Sequence, residues 1–193
     1  MRYQIGPAFR ITLFMTVLTG LIYPGIVTGF CQLLFPHRAN GSMVEVGGKV
    51  AGSELIGQNF SKPQYFHPRP SAVGYNAAGS GASNQGYTSA QLKKDVAQRT
   101  TDWRKANATD EVPPDMIAAS ASGLDPDISP RAAELQVPRV AAARRLSARG
   151  TDALMALVKS HEQGPQWGFL GEPRVNVLAL NLALDEAFPE VKP

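Results

Sequence analysis

One stretch decides what this chain can become. Residues 11–35 read ITLFMTVLTGLIYPGIVTGFCQLLF, uncharged and mostly apolar, and no other segment resembles it. About twenty apolar residues are enough for a helix to cross a bilayer core, so this run can span with some tilt. A cleaved signal sequence would be shorter and would end in small residues, whereas Phe35-Pro36-His37-Arg38 follows here. The run therefore reads as a retained transmembrane helix behind a short basic tail, residues 1–10. Residues 36–193 are mixed and polar enough to form one soluble domain. Gly20, Pro24 and Gly25 interrupt the span, which membrane helices tolerate when neighbours satisfy the freed backbone groups. Gly25 and Gly29 make a small-xxx-small pair that would let another helix approach closely.

Charge and cysteine usage remove several functions. The net charge is +3, but the basic residues are scattered, with Lys93-Lys94, Arg104-Lys105 and Arg144-Arg145 as the adjacent pairs. A nucleic-acid surface needs them gathered on one face, so no nucleic-acid partner is expected. The single cysteine, Cys31, lies in the apolar run, so the soluble domain has neither a disulfide nor a thiolate. Arg2 and Arg10 precede the span, and Arg38 and Lys49 follow it. A short basic tail ahead of a first span favours the tail inside and the domain outside.

Beyond the span the pattern predicts an α+β domain. Residues 43–56 read as a hairpin around Gly47-Gly48. Residues 57–87 are so rich in Gly, Pro, Ser, Asn and aromatics that they suit no regular element, a length that is often functional. Thr88 with Gln91 forms a capping-box pattern ahead of a helix from about Ser89 to Ala106. A second loop, residues 119–130, ends in Ser129-Pro130, an N-cap followed by proline at the first helical position. Pro138 should kink or split the helix that follows, leaving residues 139–148 as a separate piece. Gly150 and Thr151 should separate that piece from a helix over residues 152–162. The leucines of residues 176–188 suit a last, N-capped helix.

The chemistry-bearing residues do not assemble into a catalytic set. The chain has no phosphate-loop motif and no G-x-S-x-G elbow. Ser80, Ser83 and Asn84, in GSGASN, are the nearest thing to a nucleotide loop or a nucleophile loop, although such runs are usually tight turns. His37, His67 and His161 are too scattered for a metal set, and no metal site is expected. Asp125 and Asp127 in LDPD are most simply Asx-type turns. A membrane-anchored hydrolase would need a Ser/His/Asp arrangement that cannot be assembled from these residues.

A resemblance does emerge from the ordered strings YPGIVTGF, NGS, GSELIGQNF, YFHPRPSA, SGASNQG, SASGLDPDISP, QVPRVAAAR and GEPRVNVLALNLALD. Together, from about Thr19 to Asp185, they resemble the C subunit of the bacterial Kdp potassium-transporting ATPase. SGASNQG carries Ala82 where that family usually has glycine. The resemblance implies an accessory subunit without catalysis of its own, in the bacterial inner membrane. Its implied partners are a channel-like potassium-binding subunit, a P-type ATPase subunit and a small one-helix subunit, within the lipid bilayer. No intrinsic cofactor is implied; ATP would act through the complex. Two roles are described for the family: a catalytic chaperone raising the ATPase subunit's nucleotide affinity, and an outer domain over the channel mouth. They conflict, because a domain outside the membrane cannot touch cytoplasmic ATP. A directly ATP-binding regulatory domain thus stands as an alternative to the assembly role. The interface candidates are Gly25 and Gly29 in the span, with Tyr65, Phe66, Arg69 and Asp125 in the two loops. Tyr, Phe and Arg are residue types enriched at interfaces, although each could equally anchor the loop to its own domain.

Overall fold

The structure is a computed structural model that describes residues 2–189, and it divides into two units, Met1–Met43 and Val44–Pro193. The first unit is one long helical rod. Helix α1 runs over Arg2–Val17, a π-helical turn occupies Leu18–Ile22, and α2 continues over Tyr23–Leu34. From Tyr3 to Leu34 this rod is apolar enough to cross a membrane. Its large apolar side chains, Leu13 and Phe14 through Ile26 and Phe30, are exposed all round, as expected for a helix whose solvent is lipid. The helix starts well before the apolar run, so residues 3–10 are helical too.

The π-turn has a covalent cause. Pro24 has no N–H, and in an α-helix its ring would press on the carbonyl of Gly20. The backbone widens instead, and the Tyr23 N–H reaches back five residues to the Leu18 carbonyl. A short helix, α3 (Pro36–Ala39), follows the rod.

The second unit is α+β. Strands β1 (Met43–Val46) and β2 (Lys49–Ser53) form the expected hairpin, closed by Gly47 and Gly48, both at positive φ. Residues 54–89 contain no helix or strand. Helix α4 (Ala90–Asn107) is capped by Ser89, whose hydroxyl accepts from the Leu92 N–H, and not by Thr88. The chain turns at Ala108 in the left-handed region and passes through α5 (Pro114–Ile117). Strands β3 (Asp127–Ile128), β4 (Glu162–Gln163) and β5 (Arg174–Asn176) make an antiparallel sheet in the order β3-β5-β4. Val175 faces Ile128 on one side and Glu162 on the other.

Three helices close over this sheet. Helix α6 (Pro130–Ala143) starts at Ser129, whose hydroxyl accepts from the Ala132 N–H. It passes unbroken through Pro138, against expectation. Pro138 is on the exposed face, while Ala133, Gln136, Val137, Val140 and Ala141 lie on the buried one. Burial of that stripe outweighs one missing backbone bond. Helix α7 (Ala148–Ser160) likewise begins earlier than Gly150 and Thr151 suggest. Ser147 caps it by accepting from the Gly150 N–H, and one glycine in a first turn costs only about 1 kcal/mol. Helix α8 (Val177–Ala187) is capped by Asn176. The core between them includes Phe66, Trp103, Ile128, Val137, Leu154, Val158, Leu180 and Leu184.

Candidate functional site

The two long loops, far apart in sequence, form one surface. The Gly57 N–H donates to the Leu124 carbonyl at 2.8 Å and the Gly81 N–H to the Ser122 carbonyl at 2.9 Å. In return the Ser120 N–H donates to the Pro70 carbonyl at 3.0 Å. Ser71 Oγ adds a bond to the Gly123 carbonyl at 2.6 Å, and Ser80 Oγ one to the Ser122 carbonyl at 3.0 Å. Arg69 Nη1 reaches Asp125 Oδ2 at 2.7 Å, with about a quarter of each side chain exposed. The seam is tight at Gly57, where a Cβ would sit 2.5 Å from the Asp125 carbonyl oxygen, and at Gly123. Gly123 has φ +68°, and a Cβ there would sit 2.6 Å from Val73 Cγ2 and 2.8 Å from the Gly81 carbonyl oxygen. Serine and glycine serve this seam because only small side chains let the two backbones approach closely enough to bond.

The loop's aromatic end, residues 63–67, is held from below by side chains of α6 and α8. Asn181 accepts from the Phe66 N–H at 2.8 Å and donates to its carbonyl at 3.0 Å. Gln136 does the same for His67, at 2.7 and 3.2 Å. Each side-chain amide thus stands in for a neighbouring β-strand, satisfying backbone groups that burial would otherwise orphan. Arg139 donates to the carbonyls of Pro63 and Tyr65, to Gln136 Oε1 and to Asn107 Oδ1. Burial lowers its pKa to about 10. Arg144 donates to the carbonyls of Gln64 and Phe188, pairs with Asp185, and lies 5.2 Å from the centre of the Tyr65 ring. The Tyr65 hydroxyl in turn donates to Asp185 at 3.0 Å.

These contacts locate each residue singled out from the sequence. Phe66 is 0% exposed and sits in the domain's own core, which corrects its place among the interface candidates: its ring has no surface to offer a partner. Tyr65 is half-buried against Arg144 and Asp185. Arg69 and Asp125 are brought together across 56 residues, and Asp125 Oδ1 accepts from the Asp127 N–H as an Asx turn does. Asp127 also holds Arg174 and Asn176, and burial raises its pKa. Ser80 is tied to the second loop, while Ser83 and Asn84 are exposed, Asn84 at φ +53°. None of the three stands at the start of α4, where Ser89 occupies the cap. Gly25 and Gly29 lie in α2 with open space where a Cβ would be. His67 Nε2 lies 3.1 Å from the Lys62 carbonyl oxygen and 3.3 Å from Arg139. Desolvation, then the Arg139 charge, lowers its pKa despite the Lys62 carbonyl, so it stays neutral at ordinary pH.

Gln136, Arg139, Arg144, Asn181 and Asp185 were not anticipated. Gln136 and Asn181 did leave a signal: each is a lone amide in an apolar helical stripe, QV and ALNLAL. An unexpected turn also stands out at residues 166–170, where Trp167 and Phe169 are 84% and 77% exposed.

Among the described residues one helix is long and apolar enough to cross a membrane, and it precedes an α+β domain whose loops are pinned by side chains. The chain belongs to the family described as KdpC: K+-transporting ATPase, c chain, which it matches over residues 5–186. It is 50% identical to the potassium-transporting ATPase KdpC subunit of Geobacter sulfurreducens over 190 residues, 96% of this chain and 99% of that one. It is 50% identical to the Gemmatimonas aurantiaca protein of the same name, covering 96% of this chain and 94% of that one. With the same-named subunit of Burkholderia mallei the identity is 52%, covering 97% and 98%.

Proposed function

We propose that this chain is a non-catalytic subunit that assembles and stabilises an ATP-driven potassium importer in the bacterial inner membrane. In this reading residues 11–35 span the bilayer and residues 36–193 stand on the extracytoplasmic side. The chain would hold together a channel-like potassium-binding subunit, a P-type ATPase subunit and a small one-helix subunit. The observation that carries this is the stitching of residues 57–87 to residues 119–128, in a chain whose relatives are named as subunits of a potassium-transporting ATPase. Loops ordered before they meet a partner lose less freedom on binding, so more of the contact energy appears as affinity. ATP then acts through the ATPase subunit. Any rise in its nucleotide affinity, the catalytic-chaperone role, would pass through the membrane-embedded subunits and not through contact with ATP. The direct nucleotide reading, on Ser80, Ser83 and Asn84, gains less support, since Ser80 is engaged with the second loop and a helix start is not at hand to cradle phosphate.

Two measurements test the proposal. Cells making the other subunits without this chain should yield no intact transporter on affinity purification and should not grow at limiting potassium. Recovery of an intact, active complex would overturn the assembly role. In a Cys31→Ser background, a cysteine placed at exposed Ser83 should react with a membrane-impermeant thiol reagent in intact cells. Reaction only after lysis would put the domain inside and bring the nucleotide reading forward.

A further inference from the structure

We propose that the Gln166–Leu170 turn is the anchor by which this domain docks onto another protein subunit of the transporter, in an apolar pocket with a basic rim. The inference rests on the assembly function proposed above and names the surface that performs it.

The turn lies between β4 and β5 and is rigidly built. The Gln166 N–H donates to the Leu170 carbonyl at 2.8 Å, and the Leu170 N–H returns to the Gln166 carbonyl at 2.9 Å. Trp167 has φ +54° and Gly168 φ +82°. A bulky L-residue adopts that conformation only where its surroundings hold it, and such residues gather at functional sites. The effect is to turn side chains outward that burial would normally claim. Trp167, Phe169 and Leu170 are 84%, 77% and 50% exposed, with the two rings 6.5 Å apart. The chain's other tryptophan, Trp103, is in the core. Tyr65 and Phe66 face their own domain; the long loop exposes Tyr87 by itself, whereas here two rings and a leucine are exposed together.

Charge and area select the occupant. No charged residue lies between Glu162 and Glu172, and both of these are exposed. The nearest downstream cation, Arg174, is paired with Asp127, and the nearest upstream one, Lys159, closes α7. An apolar centre with an acidic rim matches an apolar pocket with a basic rim. Exposed carboxylates on both sides of the rings do not suit a surface of anionic lipid, which repels them. Three such side chains offer roughly 400 Å², about half of what each partner gives in a stable interface. That is too little to hold a freely diffusing second copy. It is enough for an anchor within a contact between molecules already confined to one membrane complex. The turn also leaves β5 from its Arg174 end. The Asn176 end bonds to the Glu54 carbonyl instead.

The test is affinity purification of the complex through a tag on another subunit, from cells making all of them with this full-length chain. The double variant Trp167→Asn/Phe169→Ser removes both rings, and asparagine suits the positive φ. Its recovery with the tagged subunit should fall at least tenfold, while Trp167→Phe keeps most of it. Phe169→Glu, at an ordinary backbone position, should fall likewise and guards against misfolding of the double variant. Recovery of both ring-removing variants at the wild-type level overturns the inference and leaves the assembly function standing. Failure of the wild-type chain to co-purify overturns the assembly function and this inference with it. Trp167 emission is then read in vesicles of brominated lipid holding this chain alone. It should be unquenched; quenching that disappears in Trp167→Phe puts the turn in the bilayer and overturns the proposal.

Discussion

A phenylalanine in a loop of glycines, prolines and serines looks like something offered to a partner, yet Phe66 is the best-buried aromatic of its domain. Two amide side chains explain this. A loop backbone can enter a core only if its N–H and C=O groups find partners there, and Asn181 supplies both for Phe66. Asn181→Leu keeps the volume but leaves two buried backbone groups unpaired. At about 1–3 kcal/mol for each, it should lower the domain's stability by roughly 2–6 kcal/mol in urea unfolding. A cost under about 1 kcal/mol would show that these bonds do not hold the loop. Gly123→Ala should be costly for a different reason, since its Cβ has no room between Val73 and Gly81 and its φ is positive. The seam between the loops should open there, seen as faster hydrogen exchange at the Gly81 and Gly57 amides with α7 unchanged. Residue types carry only a hint of this, the lone amides Gln136 and Asn181 in apolar stripes. Burial of a loop depends on which side chains lie beneath it, and those come from residues 115 positions away.

At the scale of elements the sequence was informative wherever local chemistry decides. The hairpin at Gly47-Gly48, the cap at Ser129 and the leucine-rich final helix follow from turn, cap and period rules. The misplacements share one cause. Pro138 and Gly150 suggest breaks because both disfavour helix locally, but tertiary burial of the α6 stripe and the Ser147 cap on α7 override them. Capping by Ser89 in place of Thr88 is a one-residue shift of the same kind that pattern alone cannot decide. Pro138 should then be a standing liability. Pro138→Ala restores an N–H for the Glu134 carbonyl on an exposed face, and should raise thermal stability by about 1–3 kcal/mol. An unchanged or lower melting temperature would mean that the proline fits α6 without cost.

For the whole molecule, the clearest solution signature is its response to acid. His67 has its pKa lowered in the folded domain, chiefly by burial and then by Arg139. The folded state therefore binds fewer protons than the unfolded one. The stability this preserves is complete above the unfolded value of about 6.5 and is lost as pH falls through it towards the folded pKa. The melting temperature should drop between pH 7.5 and pH 5, and His67→Gln should flatten that slope. A wild-type slope kept in the variant would assign the effect elsewhere. The overall plan, a span followed by an α+β domain, was readable because apolar length and composition are global quantities. The exposed Trp167 turn was not, because WGFL reads equally well as buried strand or protruding loop. The π-turn at Leu18–Ile22 has a consequence of its own. One extra residue in a helical turn rotates everything beyond it by about 100° relative to an unbroken α-helix. Pro7 and Gly25, or Ile11 and Gly29, eighteen residues apart, would share a face of an unbroken helix and are instead turned about 100° from one another. A straight neighbouring helix cannot follow this rod from one leaflet to the other, so each half of the span presents its own face, suited to a different neighbour.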